Sequence, residues 1–148
     1  IIMTAFAKDV QRGEAESVGA NGFLSKPIFQ STLFDAIMDA FGKEGGQTAR
    51  VHHDFTTRTS MYRKHLKGYR ILLVEDNLTN QQVAQAILQT AGIKVTIAGN
   101  GKEAVEMADC SQFDAILMDI QMPVMNGRDA TAALREAGRT RHHRAITN

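Results

Sequence analysis

Apolar residues in this chain come in two styles, unbroken runs and spaced stripes, and the styles alternate. Ile71-Leu-Leu-Val74 is an unbroken run of the kind found in a strand covered on both faces. A second strand is predicted from Phe113 to Met118, and a third from Lys94 to Ala98 with Val95 and Ile97 inward. Between them, Val83, Ala84, Ile87, Leu88 and Ala91 mark one side of a helix that Gly92 closes. Asn100-Gly101 turns the chain into a helix from Lys102 to Asp109, with Ala104, Val105 and Ala108 inward. A further helix is predicted from about Arg128 to Ala137, and Ala145-Ile146-Thr147 reads as the start of another strand. Strands alternating with helices of this length predict a parallel α/β sheet.

The first forty residues carry a shorter version of the same pattern. Ile1 to Ala5 reads as a short buried strand, and Lys8 to Val18 as a weakly amphipathic helix ended by Gly19. Phe23-Leu24-Ser25 is a short strand stopped by Lys26-Pro27. Ser31 is placed to cap the next helix, where Leu33, Phe34, Ile37, Met38 and Phe41 recur at spacings of three and four until Gly42. Residues 43–69 break the order: Gly45-Gly46 is followed by Thr, His, Arg and Ser without sustained period, which reads as a linker. That is long for a loop within a compact domain.

At 148 residues, 43% hydrophobic and 22% charged, the chain can bury a real core. Its net charge of +1 is unevenly spread. Seven Lys/Arg between Lys43 and Arg70 face only Glu44 and Asp54, the tail from Arg139 to Arg144 adds three more, and the remainder is acidic. No aromatic platform or recognition helix accompanies these basic stretches, so a solvated connector is expected rather than nucleic-acid binding. The apolar runs are too short to span a bilayer, and no export signal is evident. Cys110 stands alone, which excludes an intrachain disulfide and fits a reducing compartment. A start at Ile-Ile-Met suggests a piece of a longer polypeptide. The segment is expected in the cytoplasm, making no membrane contact of its own even if the parent protein is membrane-anchored.

Two of the apolar strands end in carboxylates, Glu75-Asp76 and Asp119. In open parallel sheets ligands bind beyond the carboxyl ends of the strands, and acids gathered there repel unless a hard cation with oxygen ligands joins them. Acids at strand ends are also common without a metal, so these residues alone leave both readings open.

The surrounding motifs narrow the choice. Ile71-Leu-Leu-Val-Glu-Asp-Asn77, Asn80-Gln-Gln-Val83 and Phe113-Asp-Ala-Ile-Leu-Met-Asp-Ile-Gln-Met-Pro-Val-Met-Asn-Gly127 resemble the response-regulator receiver (CheY-like) family, specifically receivers of hybrid sensor histidine kinases. The resemblance implies that Asp119 takes a phosphoryl group from a phosphohistidine. It implies Mg2+ held by Asp76, Asp119 and the backbone carbonyl of Gln121, with Glu75 acting from the second shell. Met3-Thr4-Ala5 and Gly19-Ala-Asn-Gly-Phe-Leu-Ser-Lys-Pro-Ile28 resemble the fourth- and fifth-strand segments of the same family. There Thr4 and Lys26 would contact the phosphoryl group, the Lys26-Pro27 bond would be cis, and Thr4 and Phe23 would be switch residues. Asn126 or Gln121 would position a hydrolytic water. Taken by themselves, Thr4 also reads as an ordinary strand end, Lys26 as a surface lysine and Phe23 as core.

These segments appear in an unusual order. Residues 1–42 match the C-terminal half of a receiver, 43–69 a linker, and 70–148 the N-terminal part of a following receiver up to the start of its fourth strand. A fragment cut across tandem receivers explains the duplicated fourth strand; a circularly permuted gene is the alternative. Neither half alone covers its sheet. The expectation is therefore a doubly wound five-stranded parallel sheet of order 2-1-3-4-5, assembled in permuted order within the chain or by exchange between chains in a swapped dimer. Closing the 27-residue linker costs about 2–4 kcal/mol, so closure within the chain is feasible. The expected role is reception and relay of a phosphoryl group from a histidine-phosphorylated kinase or phosphotransfer domain in two-component signal transduction. Enzymatic activity would be limited to weak phosphotransfer and autodephosphorylation, with any kinase catalytic domain elsewhere in the parent. A receiver-like interaction module that is never phosphorylated is the alternative. A hydrolase is disfavoured, since neither a nucleophile elbow nor a phosphate-cradling Gly-Lys-Ser/Thr loop is present.

Overall fold

A computed structural model describes residues 1–4, 17–42, 62 and 64–146. Its strands are β1 (Ile2–Thr4), β2 (Phe23–Ser25), β3 (Arg70–Val74), β4 (Lys94–Ala98) and β5 (Ala115–Asp119). The helices are α1 (Gln30–Gly42), α2 (Leu78–Thr90), α3 (Gly101–Cys110) and α4 (Gly127–Ile146). All strand pairs are parallel, in the order β2-β1-β5-β3-β4. With β3, β4, β5, β1 and β2 taken as the first to fifth strands, this is the expected 2-1-3-4-5 arrangement read from its other edge. The chain's first two strands therefore sit beside its last, with Ile2 paired to Met118 and Met3 to Asp119.

Alternation along each strand divides the core between the two faces of the sheet. On one face Met3, Leu24, Ile71, Leu73 and Leu117 pack against Leu33, Phe34 and Ile37 of α1 and Ala84 and Leu88 of α2. On the other, Leu72, Val74, Ala98 and Met118 pack against Ala104 of α3 and Ala130 of α4. The halves of the chain thus share one core. Met3, Leu33, Phe34 and Ile37 would lose their cover without residues 70–119, and all four have no solvent exposure.

Several local expectations are corrected. The linker predicted over 43–69 is folded at its far end: Leu66 is buried, the Tyr62 and Phe34 rings lie 5.1 Å apart, and Tyr69 stacks on Phe41 at 4.8 Å. Tyr62, Leu66 and Tyr69 are spaced four and three apart, as on a helix, but the stripe is brief, and the ring partners of the two tyrosines lie far back along the chain on α1. Ala145 and Ile146 are helical, as the end of α4, instead of opening a strand. A strand needs an unpaired neighbour, and β1 already occupies the place beside β5. Val83 is 51% exposed, because the buried stripe of α2 runs through Ala84, Leu88 and Ala91. Ser31 lies inside α1; the first helical bond runs from Leu33 N–H to the Phe29 carbonyl at 3.0 Å. The helix expected at Lys8–Val18 falls almost wholly outside the described residues, as do Ala5, Thr147 and Asn148.

Candidate functional site

Because the sheet is parallel, the carboxyl ends of β1, β2, β3 and β5 open on the same edge, and each delivers one polar group there. β5 ends at Asp119, β3 runs into Glu75 and Asp76, β1 ends at Thr4, and β2 runs into Lys26. The turn after β2 is tied by Lys26 N–H to the Thr4 carbonyl at 2.7 Å, and the Lys26-Pro27 bond is cis, as expected. The Lys26 ammonium donates to Glu75 Oε2 at 2.6 Å and to Asp119 Oδ2 at 2.8 Å. One carboxylate oxygen from each of Glu75, Asp76 and Asp119 lies within 4.8 Å of the other two, the one such acidic or metal-ligating cluster among the described residues. Glu75, Asp119 and Thr4 are buried, whereas Asp76 faces solvent. A cleft of about 790 Å³, lined by Ile2, Phe113, Leu134 and Arg135 among others, lies at the opposite, amino ends of the strands and holds none of this chemistry.

Two of the three carboxylates, Glu75 and Asp119, share one ammonium, so the cluster with all its groups ionised carries a net charge of −2. Burial pushes the Asp119 carboxyl above its ordinary range; Lys26 and the Gln121 backbone N–H pull it down, Glu75 pushes it up, and the rise prevails. For Lys26 burial acts to lower the pKa, but the two carboxylates outweigh it and hold the ammonium above the ordinary lysine value. An oxygen-only donor set with surplus negative charge, open to solvent on the Asp76 side, fits a hard divalent cation that keeps part of its water.

The predicted residues are brought together to differing degrees. Asp119, Glu75, Asp76 and Lys26 converge in one cluster, and Thr4 and Lys26 are joined through their backbones. Phe23 is half-buried on β2, one position before Leu24. Gln121 sends its backbone N–H to Asp119. Asn126 is committed elsewhere: its carboxamide accepts from Asp129 N–H at 2.9 Å and donates to Asp129 Oδ2 at 2.8 Å, capping α4.

Other residues that build the site lie within the motifs quoted above but had no role assigned from the sequence. Asn77 caps α2 by accepting from Thr79 and Asn80 N–H. From the first turn of that helix, Asn80 Nδ2 donates to Glu75 Oε1 at 3.0 Å and Gln81 Nε2 to the Glu75 carbonyl at 2.6 Å. Amides five and six residues after Glu75 were the available signal. Gly127 is required sterically, since a Cβ there would stand 1.9 Å from the Asp119 carbonyl oxygen.

Known proteins are similar to this chain in sequence and fold. The Arabidopsis thaliana two-component response regulator 24 is 49% identical over 69 residues, 45% of this chain and 49% of that protein. Probable histidine kinase 5 of Oryza sativa subsp. japonica is 36% identical over 118 residues, 79% of this chain and 10% of that protein. Among solved structures, full-length ShkA in complex with AMPPNP superposes with a TM-score of 0.50 at 28% identity, covering 93% of this chain and 27% of that one. The chain thus spans about half of that regulator and a tenth of that kinase. The pattern described as the response regulator receiver domain matches residues 71–147, the stretch that supplies Glu75, Asp76 and Asp119. More than half of this chain carries that pattern, its sheet has the doubly wound receiver architecture, and its acids stand where the strands end: it belongs to the response regulator receiver family of two-component signalling.

Proposed function

We propose that this segment accepts a phosphoryl group on Asp119 from a phosphohistidine and uses the modification to switch or relay a two-component signal. The observation that carries the reading is the bridging of Glu75 and Asp119 by Lys26 beside Asp76, a surplus of carboxylates over ammonium groups that a divalent cation would offset. Ionised Asp119 needs no base to act as nucleophile. One of its oxygens forms the new P–O bond as the P–N bond to the donor imidazole breaks, and the departing imidazole keeps the electron pair. Lys26 and the Thr4 hydroxyl are assigned to the phosphoryl oxygens, where they stabilise charge spreading in the transition state. Asp76, Asp119 and the Gln121 carbonyl are the proposed Mg2+ ligands, with Glu75 behind them; the ion would supply further neutralisation of the phosphoryl charge.

The reading includes an assembly. Residues 1–42 act as the C-terminal half of a receiver and 70–148 as the N-terminal part of a following one, joined by 43–69. Together they form one composite site within a chain or by exchange between two. Thr4 and Phe23 are assigned to its switch. The proposed donors are a histidine-phosphorylated kinase or phosphotransfer domain, in the cytoplasm. None of the described helices is long and apolar enough to cross a membrane. Incubation with acetyl phosphate and magnesium, read by intact mass, should add one phosphoryl group to the wild type and none to Asp119→Asn. An adduct that survives the substitution, or none on folded wild type, would overturn the assignment.

A further inference from the structure

Glu75 is the most enclosed acid of the cluster, and its two oxygens are divided between different partners. Oε2 accepts from Lys26 at 2.6 Å. Oε1 accepts from Asn80 Nδ2 at 3.0 Å, with the Asn77 backbone N–H more distant at 3.4 Å. The geometry points to Asn80 as the positioning residue of this site: its amide holds one oxygen of Glu75 so that the other is aimed at Lys26. The inference rests on the proposed phosphoryl transfer and assigns a further residue to it.

The physical case starts with the first turn of α2. Asn77 accepts from the backbone N–H of Thr79 and Asn80, which sets the turn, and Gln81 Nε2 grips the Glu75 carbonyl at 2.6 Å. The Asn80 side chain is thereby directed back over the end of β3, within reach of Glu75. Without Asn80, Oε1 would keep only the long bond from the Asn77 N–H at 3.4 Å; a buried carboxylate oxygen so weakly satisfied carries a desolvation penalty, and Glu75 would rotate to recover a better donor. The strong donor left on this carboxylate would be the Lys26 ammonium. Rotation would draw the ammonium from Asp119 or put a third carboxylate into the place proposed for the metal. Asn80 itself lies at the surface, and its side-chain amide bonds Glu75 rather than Asp119 or Lys26, so its influence runs through Glu75.

A double-mutant cycle separates this role from a structural one. Asn80→Ala should slow acetyl-phosphate modification of Asp119 at saturating magnesium about tenfold, the usual scale for losing an outer-shell partner. It should also change the magnesium affinity read by amide NMR shifts, a readout that needs no phosphoryl transfer. In the Glu75→Gln background, where no charge remains to be aimed, adding Asn80→Ala should alter both by less than about twofold. The thermal midpoint, by contrast, should fall similarly in both backgrounds. An equal loss of rate with and without the Glu75 charge overturns the inference, as does an Asn80→Ala rate equal to wild type. If wild type itself takes no phosphoryl group, the proposed function fails instead, and the magnesium readout of the cycle still decides whether Asn80 acts through Glu75.

Discussion

Lys26→Met should lower stability sharply when no divalent cation is present, and magnesium should restore much of the loss. Methionine keeps the apolar stem of lysine, so the perturbation is chiefly the removal of one charge. That charge is shared by Glu75 and Asp119, which are only 2% and 4% exposed. Breaking a buried ion pair by deleting one partner typically costs about 3–5 kcal/mol, because the surviving charge stays buried without compensation. Lys26 retains 16% side-chain exposure, and one of the stranded carboxylates can take up a proton, so the lower end, about 3 kcal/mol, is expected. For a domain of this length that corresponds to a midpoint roughly 6–12 °C lower. Thermal unfolding by far-UV circular dichroism, near neutral pH with chelator and again with saturating magnesium, measures both parts. The deficit should shrink with magnesium, which supplies the missing positive charge. It should also shrink as pH falls into the carboxylate range, where the acids become neutral. A deficit that is absent, or unchanged by magnesium and pH, would refute the claim that Lys26 neutralises this cluster.

Gly127→Ala should destabilise the protein by about 2 kcal/mol or more, despite the roughly 1 kcal/mol by which alanine is the better helix former, because the new methyl meets backbone at Asp119; a raised urea midpoint would contradict the packing described. Val124 is β-branched, 80% exposed and held at φ 68°, so Val124→Gly should raise stability by about 1 kcal/mol in the same assay. Asp119→Asn bears on pH. Burial raises the folded-state pKa of Asp119 above its unfolded value, so ionisation costs stability as pH rises through that window, and the amide escapes the cost. Without metal the variant should therefore unfold at a higher temperature than wild type at neutral pH, and the advantage should disappear below about pH 4; a pH-independent difference would show that charge is not its cause.

Most of the secondary structure was legible because it follows from local pattern. Ile71–Val74 had to be covered on both faces, and the stripe through Leu33, Phe34 and Ile37 had to face a core. The acids were legible too, since each follows directly on an apolar strand in a sheet whose parallel sense the alternation of elements implies. The misses share one cause. Tyr62, Leu66 and Tyr69 keep a helical spacing for barely two turns among charged residues, and the two tyrosines pack on partners, Phe34 and Phe41, that lie far away in the chain. Asn80 and Gln81 look like ordinary polar positions in a helix until the turn at Asn77 folds them back over Glu75.

Ala145 and Ile146 show the division between the two levels most plainly. Their sequence suits a strand, as does that of Ile2-Met3-Thr4, but a parallel sheet offers one place beside β5, and β1 fills it. Local sequence determined which segments were able to enter the sheet and which residue types would stand at its carboxyl edge. Only the tertiary structure decided which segment entered, and so brought Lys26 within 2.8 Å of Asp119 across 93 residues of chain. The physical reason is that backbone preference and apolar pattern act over a few residues. Strand neighbours, by contrast, are chosen by competition among distant segments for the same hydrogen-bonding edge and the same core volume.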